Sequence, residues 1–220
     1  MDIGILGTGV VGQTLGAALI AKGHRVMLGS RSRHHDAAGA WCRQQGDNAS
    51  HGMFEDAARF GETVFICLNG AIAPDALQQA GCDAFAGKVV VDVTNPLDFS
   101  RGMPPTLLPA YSQGWSLGEE IQQLLPEARV VKALNTVTAR LMVDARLVNG
   151  GEHHLFLCGN DVEAKVAVKH LLAENFYWKP ENMVDLGSIT AARLTEGIIP
   201  FWVGVMQVSG TPLFNFRIVT

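Results

Sequence analysis

The chain has 220 residues, 48% of them apolar and 17% charged, and 17 Lys and Arg stand against 21 Asp and Glu for a net charge of −4. At about 150 residues per domain the length allows one to two domains. The apolar content excludes intrinsic disorder, the acidic balance argues against a nucleic-acid partner, and no apolar run approaches the length of a membrane span.

Ile3 to Leu6 reads as a short buried strand, followed by a helix from Val10 to Lys22 that stops at Gly23. His24 to Leu28 is a second strand. Helices follow at Asp36 to Gln45 and Phe54 to Phe60, each ended by a glycine. Thr63 to Leu68 is a strand, Pro74 opens a helix to Gln79, and the Val-rich run from Lys88 to Val93 is a strand. Residues 96 to 114 hold four prolines and read as a long loop. Ser116 with Glu119 three residues on forms a capping box for a helix to Leu125. Strands follow at Arg129 to Leu134, His154 to Cys158 and Val184 to Leu186, with a helix from Asp161 to Glu174. A long apolar helix is predicted from Ile189 to Val208, kinked at Pro200. Strands alternating with helices imply an α/β fold, a doubly wound and mainly parallel sheet.

Gly7-Thr8-Gly9-Val10-Val11-Gly12 fits G-x-G-x-x-G and lies between the first strand and the first helix, the context in which that motif binds a dinucleotide. Gly7 permits the tight turn, Gly9 lets the backbone approach a pyrophosphate, and Gly12 allows close helix packing. A nucleotide-binding domain of the Rossmann type is the expectation, one that the family resemblance described below also implies. Residues 1–150 form a nucleotide-binding domain, and 151–220 are a small C-terminal α/β extension packed on it as a single structural unit. An enzyme that uses NAD places an acid at the end of the second strand. Here the turn is Gly29-Ser30-Arg31-Ser32-Arg33-His34-His35, with no acid before Asp36. Arg31 and Arg33 can pair with an adenosine 2′-phosphate, with Ser30 as an added donor, which points to NADP(H).

Four cysteines, Cys42, Cys67, Cys82 and Cys158, contain no C-x-x-C pair and read as small buried thiols of a cytoplasmic protein. Met1-Asp2-Ile3 runs straight into a strand, so no secretory leader is expected. His153-His154 has no third ligand at useful spacing and reads as the start of a strand, leaving no metal site. Lys165 and Lys169 share a helix face and read as solvated; Lys132, in a strand before Asn135, could orient a substrate but reads rather as a surface lysine. Asp92 ends a central strand, where an acid either meets a ligand or caps the next turn. No acid–base pair emerges from spacing, which favours a transfer that needs mainly positioning.

G-T-G-V-V-G (7–12), G-S-R (29–31), V-D-V-T-N-P-L (91–97), V-V-K-A-L-N-T (130–136), C-G-N-D (158–161), V-D-L-G (184–187) and A-R-L-T-E (192–196) together span nearly the whole chain. With these motifs the chain resembles the NADPH-dependent coenzyme F-420 (F420 hereafter) reductases, the F420:NADP oxidoreductase family. It is similar also to the reductase domain of the STEAP metalloreductases. The resemblance implies NADPH over Thr8 to Gly12, with Ser30 and Arg31 on the 2′-phosphate. It implies Leu68, Asn69 and Asn95 along the cofactor, and Asn135 and Val137 near the nicotinamide. A flavin or deazaflavin acceptor (coenzyme F420, FMN or FAD) would stack there, in a cleft closed by Arg193 to Glu196. It also implies an oligomer, and the apolar C-terminal helix suits the contact of a homodimer. Two other readings stay open: reduction of a small imine or keto substrate, and NADP(H) sensing without turnover.

Overall fold

The computed structural model describes residues 1–219. Ten strands and nine α-helices follow one another along the described residues. The first half runs β1 (Asp2–Leu6), α1 (Val10–Ala21), β2 (Arg25–Ser30), α2 (Asp36–Gln45), β3 (Ala49–Met53), α3 (Phe54–Phe60), β4 (Thr63–Ile66), α4 (Ala73–Ala80) and β5 (Val89–Asp92). The second half runs β6 (Leu97–Asp98), β7 (Thr106–Leu107), α5 (Leu117–Leu124), β8 (Arg129–Ala133), α6 (Ala139–Val143), β9 (Leu155–Gly159), α7 (Val162–Phe176), β10 (Met183–Asp185), α8 (Ala192–Gly197) and α9 (Ile199–Ser209). Eight strands form one sheet in the order β10-β9-β8-β5-β4-β1-β2-β3. The ladders are parallel except β8 with β9. The strand order reverses between β1 and β4, where a doubly wound sheet opens a crevice at the carboxyl ends of its strands.

The central strands are near-continuous apolar runs because helices cover both sheet faces. Alternate residues separate into two cores. Ile3, Ile5, Phe65, Val91 and Val131 pack in one, and Leu6, Val64, Ile66, Val90 and Val130 in the other. Leu15 and Leu19 of α1 and Val168 and Leu172 of α7 fill the first core. Leu77 of α4 and Leu117 and Ile121 of α5 fill the second.

Four departures from the sequence reading have physical causes. The first is β3, a strand the sequence does not announce. Ala-Ser-His-Gly-Met lacks the β-branched run of a buried strand, and at the sheet edge it is held by backbone pairing with β2. Second, the long loop contains a small antiparallel ribbon, β6 with β7, and Leu108 N–H donates to Pro96 O at 2.8 Å. Tyr111 after it is buried in the second core. Third, the predicted kinked helix over 189–208 is three pieces: a 3-10 turn (Ile189–Ala191), α8 and α9. Pro200 stands in the first turn of α9, where its missing N–H is harmless, two residues past the one-residue break at Ile198. Fourth, Lys165 is buried. Its Nζ donates to Asp185 Oδ1 at 2.9 Å and to Gly187 O at 3.1 Å, tying α7 to the end of β10.

The four cysteines are free thiols. Cys158 is buried as expected, Cys42 and Cys67 are half-buried, and Cys82 is exposed. His153 precedes β9 and is buried. Its Nε2 donates to Ala145 O at 2.8 Å, and its Nδ1 accepts from Asn215 Nδ2 at 2.8 Å. Among the described residues no group of three His, Cys, Asp or Glu could hold a metal ion. No described helix is long and apolar enough to cross a membrane.

Candidate functional site

Two cavities open along the carboxyl edge of the sheet, joined by the glycine loop between β1 and α1. The three glycines of that loop answer different demands. Gly7 has φ +123°, and a Cβ there would lie 2.4 Å from Cys67 O. A Cβ on Gly12 would lie 2.3 Å from Gly7 O. Both are required by the protein's own packing. A Cβ on Gly9 would meet nothing within 4 Å. Gly9 is the N-cap of α1 and supplies no side-chain cap, so the first amides of this twelve-residue helix receive no side-chain acceptor from the cap position. A helix start of that kind attracts phosphate.

These placements separate two substitutions. Gly12→Ala pushes a methyl group against backbone and lowers stability by about 1–3 kcal/mol. Gly9→Ala stays within about 1 kcal/mol of wild type and loses dinucleotide affinity. Thermal melts with and without NADPH check both. A melt of Gly9→Ala that responds to NADPH as the wild type does would contradict the assignment.

The first cavity, about 250 Å³, is lined by Thr8, Ser30, Arg31, His35 and Leu68 among others. Ser30 Oγ accepts from Ser32 N–H at 3.2 Å and donates to Ser32 O at 2.6 Å, which sets the turn after β2. Arg31 is exposed at the cavity rim and makes no ion pair among the described residues. Arg33 is engaged elsewhere, with Asp56 Oδ2 at 3.0 Å. His35 is a contributor that sequence reasoning missed. Its Nδ1 accepts from Ala38 N–H at 3.3 Å, so the neutral ring carries its proton on Nε2 and donates to Thr8 Oγ1 at 3.2 Å. The imidazole thus ties the basic turn to the glycine loop. Asn69 is exposed and outside this cavity; its Oδ1 accepts from Ala71 N–H at 2.9 Å.

The second cavity, also about 250 Å³, lies between the ends of β5 and β8 and helix α9. Its lining includes Val11, Asn95, Asn135, Thr136, Val137 and Trp202. Val10, beside Val11, is 76% exposed. The chain reaches Asn135 through Leu134, a fully buried leucine at φ +64°. That conformation costs about 1–2 kcal/mol for a side chain of this size. Asn95 Nδ2 donates to Asn135 O at 2.8 Å, and Asn135 Nδ2 returns a bond to Asn95 Oδ1 at 2.9 Å. Asn135 Nδ2 donates its second hydrogen to Thr195 O at 2.9 Å. Both amide hydrogens are thereby engaged, which fixes Oδ1 as the free acceptor. Asn135 Oδ1, Thr136 Oγ1 and Trp202 Nε1 are buried without a partner among the described residues. All three residues line the second cavity. Trp202 was legible as a helix residue only; α9 becomes a cavity wall through tertiary packing.

A buried ionic cluster stands behind the walls of this cavity, and none of its side chains lines it. Lys132 and Asp92 are paired neighbours on β8 and β5. Lys132 Nζ lies 2.8 Å from Asp92 Oδ2, 2.8 Å from Glu196 Oε1 and 2.7 Å from Thr94 O, with Lys132 and Asp92 at 0% exposure and Glu196 at 1%. The expected surface lysine is therefore a core residue. It faces the side of β8 on which β5 and α8 supply carboxylates. Burial opposes its charge, but Asp92 and Glu196 outweigh that and hold its pKa above the ordinary lysine value. Asp92 Oδ1 accepts from Thr94 N–H at 2.9 Å and Thr94 Oγ1 at 2.7 Å, so this acid caps the next turn and pairs with Lys132.

Glu196 accepts from Leu117 N–H at 3.0 Å and Gly118 N–H at 2.9 Å, the open start of α5. Gly118 is needed for this approach, because a Cβ there would lie 2.7 Å from Ala192 Cβ. Ser116 Oγ caps α5 by accepting from Glu119 N–H at 3.2 Å. The Glu119 carboxylate, instead of closing a capping box, accepts from Ser116 Oγ at 2.7 Å and from Arg193 at 2.8 and 2.6 Å. The segment 193–196 is thus braced to α5 and β8 by two charged contacts.

A family model described as NADP oxidoreductase, coenzyme F420-dependent, matches residues 2–96. A crystal structure from Arthrobacter sp. FB24, provisionally named an F420-dependent NADP reductase, is 42% identical, with a TM-score of 0.91 and full coverage of both chains. Rat metalloreductase STEAP3 is 29% identical over 214 residues, covering 91% of this chain and 37% of that protein. The chain therefore spans little more than a third of the length of the curated relatives it matches. A reductive aminase from Aspergillus terreus, solved with NADPH, shares the fold at 18% identity and a TM-score of 0.62, over 95% of this chain and 60% of its own.

Proposed function

Because the chain belongs to the family of coenzyme F420-dependent NADP oxidoreductases, we propose that it binds NADPH across the two cavities and passes hydride to a flavin or deazaflavin ring. The open space over Gly9, and Arg31 lining the first cavity with no ion pair among the described residues, carry the reading of the phosphate end. Ser30 and Thr8, the latter oriented by His35, complete the polar lining there. Leu68 lines the same cavity and suits the adenosine side. Asn135 Oδ1 would accept from the nicotinamide amide, and Trp202 Nε1 or Thr136 Oγ1 would donate to it. NADPH, when bound, supplies the hydride. The chain's residues hold the ring in place, exclude water with Val11, Val137 and Trp202, and leave the open side to a flat acceptor.

The apolar face of α9 turned away from the cavity suits a second copy of the chain. It exposes Phe201 by 61% and Val208 by 92% beside Gly204 and Val205. Light scattering is expected to return the mass of two chains, and a monomer would remove this contact.

NADPH oxidation followed with F420, FMN, FAD, ferric chelate and a cyclic imine offered in turn tests the reading. Turnover with a flavin or deazaflavin is expected. Turnover with the imine alone replaces the acceptor class, and tight NADPH binding with no turnover on any acceptor makes the chain a sensor.

A further inference from the structure

All four oxygens of the buried Asp92 and Glu196 carboxylates accept hydrogen bonds from backbone amides, a hydroxyl or the Lys132 ammonium. Asp92 accepts from Thr94 N–H, Thr94 Oγ1 and Lys132 Nζ. Glu196 accepts from Leu117 N–H, Gly118 N–H and Lys132 Nζ. Neither needs a proton of its own, so both are anions sharing one ammonium. The three side chains sum to one negative charge, with at most 1% of any of them exposed. The α5 N-terminus offsets part of it. The neighbouring Arg193–Glu119 pair is neutral and adds nothing to the sum.

The cluster is bonded into the cavity walls. Asp92 directly precedes the lining residue Val93. Lys132 Nζ donates to Thr94 O, next to Asn95. Thr195 O, beside Glu196, accepts from Asn135 Nδ2.

We propose that this buried net-negative cluster lets the chain discriminate between the two redox forms of NADP(H), favouring the cationic oxidised ring over the neutral reduced one. The inference rests on the reading that the second cavity takes the nicotinamide. In water such a charge would be nearly silent, but the cluster is dry. At an effective dielectric of about 20, one unit charge acting over a distance on the order of 10 Å gives a preference on the order of tenfold. A site with that preference favours the direction in which NADPH is consumed.

The test compares dissociation constants for NADP+ and NADPH in the wild type, Glu196→Gln and Asp92→Asn. Adenosine 2′,5′-bisphosphate, which lacks the charged ring, serves as reference. Each variant is expected to move the ratio on the order of tenfold toward NADPH, while the bisphosphate constant stays put. The double variant Glu55→Gln/Arg59→Gln removes an exposed neutral pair on α3, away from the cavity, and leaves the ratio unchanged. A merely structural role for the cluster would weaken both forms alike. An unmoved ratio in a folded variant that still binds both forms overturns this inference alone. Failure of the wild type to bind either form overturns the dinucleotide reading beneath it. Should the charge-removing variants fail to fold, the wild-type ratio decides. NADP+ is then expected to bind more tightly than NADPH, and the reverse order overturns the proposal.

Discussion

Lys132→Met is expected to destabilise the protein by about 3–5 kcal/mol, because it leaves Asp92 and Glu196 buried without their ammonium. Methionine keeps most of the volume, so the loss is electrostatic. For a chain of this size each kcal/mol moves the melting temperature by about 2–4 °C, which predicts a drop of roughly 6–20 °C. The triple variant Asp92→Asn/Lys132→Met/Glu196→Gln is expected to recover part of that, since it removes the orphaned charges as well. Single and triple variants that melt alike would contradict this account.

The pH dependence has a definite sign. The folded pKa of Lys132 is raised. Its contribution is therefore complete below the unfolded lysine value of about 10.4 and fades as pH rises through the higher folded value. Glu119 acts at the acid end. Burial opposes its ionisation, but Arg193 and Ser116 outweigh burial and hold its pKa below the ordinary range. Its contribution is present above the unfolded value of about 4.3 and is lost as pH falls through the lower folded value.

Arg31→Ala is expected to weaken NADPH binding by roughly 10- to 100-fold while leaving NADH nearly unchanged. The estimate follows from losing charge-assisted bonds to a phosphate, about 1.5–3 kcal/mol. Arg33→Ala is expected to have the smaller effect, because that guanidinium already lies 3.0 Å from Asp56 Oδ2. Parallel titrations with both nucleotides check this. Equal losses for NADPH and NADH would mean that Arg31 does not read the 2′-phosphate.

The parts of the molecule that local pattern could reveal are those where one residue's neighbours in sequence are also its neighbours in space. The glycine loop, the basic turn after β2 and the buried strands β1, β4 and β5 are of that kind. Edge strand β3 escaped because pairing with β2 holds it despite its composition. The break between α8 and α9 escaped because Pro200 is compatible with both a kink and a fresh helix start.

Lys132 was misread because a lysine in a strand is usually at a surface. The available signal was Asp92 set in V-D-V and Lys132 in V-K-A, single charges inside two buried runs that prove to be paired neighbours. The trio of lining residues with unpartnered polar atoms was half legible. Asn135 stood in a motif, whereas Trp202 reaches the same cavity from α9, 67 positions along the chain. His35 lay within the basic turn but gave no sign that it would lock Thr8 of the glycine loop.

The most direct test of this account is a crystal structure with NADPH bound. The 2′-phosphate is expected against Ser30 and Arg31 and the pyrophosphate over Gly9. The nicotinamide amide is expected among Asn135 Oδ1, Thr136 Oγ1 and Trp202 Nε1, so that buried polar atoms now without partners acquire them. Density for the adenosine half alone, or a nicotinamide placed away from Asn135 and Trp202, would contradict the account.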